Sequence, residues 1–210
     1  MIDGIIKFFL VFFVVVEPLT LVPAFAALTT GATDEYRRHA ARKAVLVASA
    51  ICLLFAVGGA KFLRIMGISV DAFRIGGGLL LFLIALDMVF ARNSAVRATT
   101  SGEADEVKHR SDISVFPLAF PLITGPGAMA TIILAFGEAG KPWQVYAGQL
   151  IAIAVVLASA LIAMRLTGPI MRVLGVTGGN VIGRLSGVIL AALAVQYVID
   201  GLKGAFVFRG

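Results

Sequence analysis

Arg64-Ile65-Met66-Gly67-Ile68-Ser69 occurs twice in this chain, the second time as Arg172-Val173-Leu174-Gly175-Val176-Thr177. Every position of the second copy holds the same residue as the first or a chemically similar one. The agreement continues downstream, where Arg74, Gly77, Leu80 and Leu83 return at one constant spacing as Arg184, Gly187, Leu190 and Leu193. A proline pair is also repeated, Pro18 and Pro23 returning as Pro121 and Pro126. The chain therefore contains two copies of one unit, as expected of a protein built from internal repeats.

The composition is that of a membrane protein. Of the 210 residues 60% are hydrophobic and only 14% are charged, and the mean hydropathy is +0.99. Apolar runs of about 20 residues are long enough to cross a bilayer, and they must be helical because a backbone in lipid has to satisfy its own hydrogen bonds. We predict an all-α membrane protein with six transmembrane helices, at about 5–28, 43–63, 74–91, 113–136, 145–166 and 182–202.

The repeat also predicts how the two units are oriented. Each unit contains three spans, an odd number, so the second unit enters the membrane from the opposite side to the first. We therefore predict an inverted 3+3 repeat. Its parts are a first three-helix repeat at 1–95, a cytoplasmic connecting loop at 96–112 and a second three-helix repeat at 113–210.

Basic residues predict which side of the membrane each loop faces. Seven belong to the chain termini and to the second and fourth loops: Lys7, Lys61, Arg64, Arg74, Lys141, Lys203 and Arg209. Eleven belong to the first, third and fifth loops: Arg37, Arg38, Arg42, Lys43, Arg92, Arg97, Lys108, Arg110, Arg165, Arg172 and Arg184. Because cytoplasmic loops carry the excess of Lys and Arg, the second set is predicted to be cytoplasmic and both termini outside.

The net charge of +6 does not indicate a nucleic-acid-binding protein, because the charges lie in short loops between apolar spans. Cys52 is the single cysteine, so no disulfide can form within the chain. The two histidines, His39 and His109, lie in charged loops without further metal ligands. We expect neither nucleic acid, metal nor organic cofactor.

Spans one and four are predicted to be broken helices. Proline lacks a backbone donor and crowds the carbonyl four residues earlier, so a proline pair can open a helix over about one turn. Irregular backbone at membrane depth survives only where protein or a water-filled cavity satisfies it, and the exposed N–H groups there suit a small carboxylate. The predicted substrate-binding residues are Pro18, Thr20, Pro23, Thr124, Gly125, Pro126 and Gly127. The alternative is that these prolines only kink the helices.

Four ionisable residues are candidates for ion coupling or gating. Glu17, beside Pro18, could bind a substrate amine or a proton, or could be a structural partner at the break. Asp87 lies near the predicted cytoplasmic end of span three, where an interfacial carboxylate is the plainer interpretation. Arg74 and Arg184 begin spans three and six, as snorkelling anchors or as gating residues.

Three segments resemble the MarC family of six-span integral membrane proteins, and the resemblance covers nearly the whole chain. They are Glu17-Pro18-x4-Pro23; Phe73-Arg74-Ile75-Gly76-Gly77-Gly78 with Asp87 downstream; and Phe116-Pro117-Leu118-Ala119-Phe120-Pro121-Leu122-Ile123-Thr124-Gly125-Pro126-Gly127-Ala128. Many relatives have Asn or Asp before the first proline and Gly after it, where this chain has Glu17 and Leu19-Thr20. The resemblance implies ion-coupled transport of small neutral amino acids such as glycine and alanine.

We therefore expect a secondary transporter, not an enzyme, in the plasma (inner) membrane of a bacterium or archaeon. Its expected partners are a neutral amino acid, H⁺ or Na⁺ as the coupling ion, and membrane lipids, with homo-oligomer formation left open. The alternatives are a transporter or flippase of another small or amphiphilic solute, and a non-transporting membrane scaffold. An enzyme would need a nucleophile with a base, paired acids or metal ligands, and the spans contain no histidine.

Overall fold

The computed structural model describes residues 2–90, 112–137 and 140–207, and within these residues it contains helices and no strand. The helices are α1 (Ile2–Val16), α2 (Leu21–Leu28), α3 (Asp34–Ile65), α4 (Val70–Val89), α5 (Ser114–Ile123), α6 (Pro126–Gly137), α7 (Trp143–Arg165) and α8 (Thr167–Val207). The predicted connecting loop at 96–112 lies outside the described residues except for its last residue, Asp112.

Five stretches are long and apolar enough to cross a membrane: Ile2–Leu28, Asp34–Ile65, Val70–Val89, Trp143–Arg165 and Val181–Phe206. The first of these contains both α1 and α2. A sixth span results if α5 and α6, which are bent by 60° at their junction, are counted as one. The all-helical, multi-span prediction is therefore confirmed, and that of six spans agrees with this upper count.

The first copy of the repeated motif is a helix-to-helix turn. Gly67 has a φ of 71°, which glycine adopts without a steric penalty. Its N–H donates to Arg64 O and that of Ile68 donates to Leu63 O, the pair of bonds that closes a helix with a left-handed cap. Ser69 then begins α4, its Oγ accepting from Ala72 N at 3.0 Å.

The second copy differs, because Arg172–Thr177 lies within α8, whose backbone is helical throughout. Our prediction of a loop between spans five and six was therefore wrong. Leu166 alone separates α7 from α8. Pro169 lies in the first turn of α8, where a helix needs no N–H donor.

Among the described residues, the helices α4 and α8 form the most extensive contact, and they run antiparallel. Glycines let the two backbones approach closely. A Cβ on Gly78 would lie 2.8 Å from Ala194 O, and a Cβ on Gly187 would lie 3.0 Å from Ala85 O. The buried core joins this pair to α1, α2, α3, α5, α6 and α7.

Candidate functional site

The first irregular segment lies between α1 and α2, at residues 17–20. Glu17 has a φ of 49°, a left-handed conformation that costs a residue other than glycine about 1–2 kcal/mol. Its carbonyl accepts from the N–H of Thr20 at 3.0 Å and from that of Leu21 at 3.3 Å. The Thr20 hydroxyl donates to Glu17 O at 3.0 Å and to Glu17 Oε2 at 3.2 Å. Glu17 and Thr20 thus form a compact polar turn, with Glu17 only 5% exposed.

The prolines of this segment have different positions. Pro18 is buried in the turn itself, whereas Pro23 is half-buried in the first turn of α2. In that first turn a missing N–H leaves no helical hydrogen bond unmade. Pro23 therefore does not line the irregular segment, although the sequence placed it there.

The second irregular segment runs through α5 to the start of α6. Phe116 and Phe120 have extended backbones, with φ/ψ of −129°/126° and −132°/129°. Each precedes a proline, and steric contact with the proline ring disfavours helix at that position. Thr124 ends the segment, its N–H and its hydroxyl both donating to Ala119 O, at 2.9 Å and 2.7 Å. Pro126 then occupies the first position of α6, where proline is favoured.

The two irregular segments approach each other near the middle of their spans. α1 has 15 residues before the first segment and α2 has eight after it, while α5 has ten residues and α6 has 12. A Cβ on Gly127, in the first turn of α6, would lie 3.2 Å from Cγ1 of Val15, two residues before Glu17. The same Cβ would lie 2.6 Å from Leu81 Cδ2, so α4 closes the third side.

A cavity of about 320 Å³ opens on the face of the bundle that holds the N-terminus. We call it the N-side cavity. Its polar lining residues are Lys7, Arg74, Thr131, Lys141, Gln149, Tyr197 and Asp200. The hydroxyl of Thr131 donates to Gly127 O at 2.9 Å, so this cavity ends one helical turn from the second irregular segment.

A second cavity, of about 250 Å³, lies between the end of α2 and the start of α8. Phe25, Thr29, Arg37, Arg165 and Pro169 are among its lining residues. Phe25 is one turn beyond the start of α2, so this cavity ends near the first irregular segment. The two cavities thus lead towards the two segments from opposite ends of the bundle.

The four predicted coupling or gating residues do not gather in one place. Arg74 lines the N-side cavity, and its Nη1 lies 3.4 Å from Oδ1 of Asp71. Arg184 is exposed on α8, at the opposite end of the antiparallel α4–α8 pair. Asp87 is half-buried in the last turn of α4. Only Glu17 lies within an irregular segment.

An ion pair joins the two halves of the chain at the N-terminal end of α3. Lys43 Nζ donates to Oδ2 of Asp112, just before α5. The Lys43 hydrogen bond, assisted by the bond from Ser114 N to Oδ1, holds the pKa of Asp112 well below its usual range. Both side chains are more than a third exposed, so solvent screens the pair.

Gln149 and Thr131 are the residues that the sequence analysis missed. Gln149 is 2% exposed, and within the described part of the chain its Oε1 has no hydrogen-bond partner. The available signal was an amide inside the apolar run of span five, since polar side chains at such positions are costly. Only the folded arrangement of the helices shows that both residues line one cavity.

Comparison with known proteins identifies the family of the chain. It matches the MarC family of integral membrane proteins over residues 2–206. The UPF0056 membrane protein YvbG of Bacillus subtilis is 38% identical over 207 residues, which cover 98% of this chain and 97% of YvbG. A UPF0056 membrane protein of Archaeoglobus fulgidus is 35% identical, covering 92% of this chain and 90% of its own. For YhcE of Escherichia coli, also named a UPF0056 membrane protein, the identity is 34% and the coverages are 95% and 92%.

No solved structure matches the chain. The family match spans both copies of the repeated motif, and the relatives align over nearly their whole length. The chain is therefore a multi-pass membrane protein that belongs to the MarC family of integral membrane proteins.

Proposed function

We propose that this protein is a secondary transporter of small neutral amino acids, working by alternating access through the two irregular segments. The observation that carries the proposal is the approach of these segments, with Gly127 against Val15 near the middle of both spans. Irregular backbone at membrane depth persists only where protein or a water-filled cavity satisfies its polar groups, and here a cavity leads towards each segment. A scaffold would need neither irregular segment.

The substrate carboxylate is held at the start of α6. N–H groups in the first turn of a helix have no helical acceptor, and the helix dipole adds a partial positive charge there. Gly127 brings that turn close to α1 because it has no side chain. The amine of the substrate lies towards Thr20 and the carbonyls of the first segment, where Glu17 supplies a carboxylate.

Rocking of two inverted units is the proposed motion, and the packing supports it. α1 packs against α7 as α5, its counterpart in the second unit, packs against α3. α6 contacts α3 and α4, as its counterpart α2 contacts α7 and α8. α3 and α4 each pack on their own counterparts, α7 and α8. Exchanging the units therefore preserves the main contacts, as an inverted repeat requires.

In this structure the threonine side chains of both irregular segments make hydrogen bonds within their own segment. Thr124 donates to Ala119 O and Thr20 to Glu17, while a cavity approaches from either end. Substrate binding exchanges these internal bonds for bonds to the solute. Glu17 couples the exchange to H⁺ or Na⁺, and no organic cofactor takes part.

A flippase for an amphiphilic substrate is less well supported. Such a protein would use Arg74 and Arg184 along one lateral groove. The two arginines lie at opposite ends of the α4–α8 pair, and Arg74 faces the N-side cavity.

Uptake of labelled alanine into proteoliposomes, with imposed H⁺ or Na⁺ gradients, tests the proposal. Thr124→Val keeps the shape of the side chain and removes its hydroxyl. We expect uptake to fall about tenfold to a hundredfold, as for a lost hydrogen bond to a charged group. Thr30→Val is the matched control, because Thr30 is exposed and its hydroxyl only donates to Ala26 O. Full-rate uptake by Thr124→Val would reject the site, and absence of uptake by the unmodified protein would reject the function.

A further inference from the structure

The N-side cavity contains a buried polar group that the bundle does not satisfy. Gln149 is 2% exposed, lines the cavity and leaves Oε1 without a hydrogen-bond partner among residues 2–90, 112–137 and 140–207. Most buried polar atoms in proteins are paired, because an unmade hydrogen bond retains the full penalty of desolvation. Gln149 also lines the cavity, so a donor that reaches its amide from there would supply the missing partner.

Thr131 provides a second acceptor beside Gln149 in the lining. It is 1% exposed, and its hydroxyl proton is used in the bond to Gly127 O. A hydroxyl that donates inward keeps its lone pairs for a ligand. Thr131 lies on α6 and Gln149 on α7, and both are buried. They therefore form the floor of the cavity, where their oxygens can accept hydrogen bonds.

The mouth of the N-side cavity, in contrast to its floor, is lined by basic side chains. Lys7, Arg74 and Lys141 come from three different parts of the chain, and Asp200 is the carboxylate that lines the cavity with them. Asp71 lies beside Arg74, with its Oδ1 3.4 Å from Arg74 Nη1, so three cations face two carboxylates and leave an excess of one positive charge. Lys141 is also fixed in place, since its Nζ donates to Ala135 O at 2.9 Å. Such a mouth attracts a negatively charged group.

We propose that the N-side cavity is a loading site for a small zwitterion, an α-amino acid with a short side chain. Its carboxylate lies among the cations of the mouth, and its ammonium donates to Gln149 Oε1 and Thr131 Oγ1. A cavity of about 320 Å³ is at the small end of ligand sites. Phe8, Val11 and Val145 supply apolar walls that limit the side chain. The inference rests on the proposed function for the fate of the ligand, which passes from here to the irregular segments.

Calorimetric binding to the purified protein tests the site without transport. Glycine and alanine are expected to bind, while acetate, which lacks the ammonium, and methylamine, which lacks the carboxylate, bind at least tenfold more weakly. Gln149→Leu should weaken glycine binding about tenfold to a hundredfold and leave acetate binding unchanged. Gln149→Glu, which retains acceptor oxygens, should restore glycine binding.

Gln144→Leu is the matched control, because Gln144 is exposed on the same helix, and it should bind glycine normally. Size-exclusion chromatography and thermal unfolding establish that each variant is folded. If Gln149→Leu does not fold, Gln149→Glu and Lys141→Met decide the matter. The first should bind glycine and the second should weaken both glycine and acetate. Glycine binding unaffected by Gln149→Leu, or acetate binding as tight as glycine binding, would overturn the proposal.

The outcomes separate this inference from the proposed function. Thr124→Val should lose uptake but still bind glycine in the cavity. If glycine binding depends on Gln149 but neither the unmodified protein nor any variant takes up alanine, the loading site is supported and the transport function is rejected. If alanine uptake is present and its KM is unchanged by Gln149→Leu, the transport function is supported and the loading site is rejected.

Discussion

Gly125→Ala is the substitution that probes the second irregular segment most sharply. A Cβ at this position would lie 2.7 Å from the carbonyl oxygen of Pro121 and 3.8 Å from its carbonyl carbon. Because these are backbone atoms, the contact cannot be relieved by rotating a side chain. Thr124 is fixed by its bonds to Ala119 O, and Gly125 O accepts from Met129 N at 3.1 Å. The added methyl group therefore has to open the turn between α5 and α6.

Overpacking of this kind costs about 1–3 kcal/mol. In a chain of this size each kcal/mol lowers the melting temperature by about 2–4 °C, so a decrease of about 2–12 °C is expected. Alanine uptake should fall at least tenfold, since the start of α6 moves relative to α1. The measurements are thermal unfolding in detergent and uptake into proteoliposomes.

Gly76→Ala is the control for the same change in a regular helix. Nothing lies within 4 Å of a Cβ at Gly76, in the interior of α4. Alanine is favoured over glycine there by about 0.5–1 kcal/mol, so the melting temperature should stay or rise. Equal melting temperatures and equal uptake rates for the Gly125→Ala and Gly76→Ala variants would refute the reasoning.

Three further predictions concern packing, backbone strain and pH. Gly78→Ala should lower stability by about 1–3 kcal/mol against the Gly76→Ala control, because its Cβ would lie 2.8 Å from Ala194 O; thermal unfolding measures the difference. Glu17→Val should be less stable than Glu17→Asn by about 1–3 kcal/mol, since a β-branched residue is poorly suited to a φ of 49°, and equal stability would contradict this. Asp112 has a lowered pKa in the folded protein, so its contribution is present above pH about 3.9 and is lost as the pH falls further. Asp112→Asn should therefore be less stable at pH 7 by no more than about 1 kcal/mol, and the difference should shrink steadily as the pH falls below about 3.9 towards the lowered folded-state pKa.

The sequence predicted those features that depend on composition and on short-range chemistry. Long apolar runs can only be helices in lipid, and the helices of the structure occupy the predicted spans. Gly67 and Ser69, which we noted only as part of the repeated motif, prove to be a helix stop and a helix start formed by local bonds. The family resemblance was confirmed over residues 2–206. The inverted repeat and a transport role for the irregular segments stay predictions.

Features that depend on tertiary packing were not predictable in the same way. The repeated motif at Arg172–Thr177 has nearly the same chemistry as its first copy, yet it lies inside a helix of 41 residues. The sequence around Gln149 does not reveal the cavity that this residue lines, because most of the other lining residues come from other helices. The repeated arginines likewise had to be placed by packing, which separates Arg74 from Arg184.

A disulfide between the two irregular segments tests the central claim most directly. Val15→Cys and Gly127→Cys would place a sulfur at the position of Val15 Cγ1, which lies 3.2 Å from a Cβ on residue 127 and is within disulfide reach. Cys52→Ala removes the native thiol, and Leu81→Val removes the Cδ2 atom that the new Cβ would meet. The measurement is alanine uptake into proteoliposomes before and after reduction. We predict that the oxidised protein forms the bond and transports nothing, and that reduction raises uptake again to the level of a matched variant that carries Gly127→Cys but keeps Val15. A disulfide that forms without slowing uptake, or that does not form in the folded protein, would contradict the account.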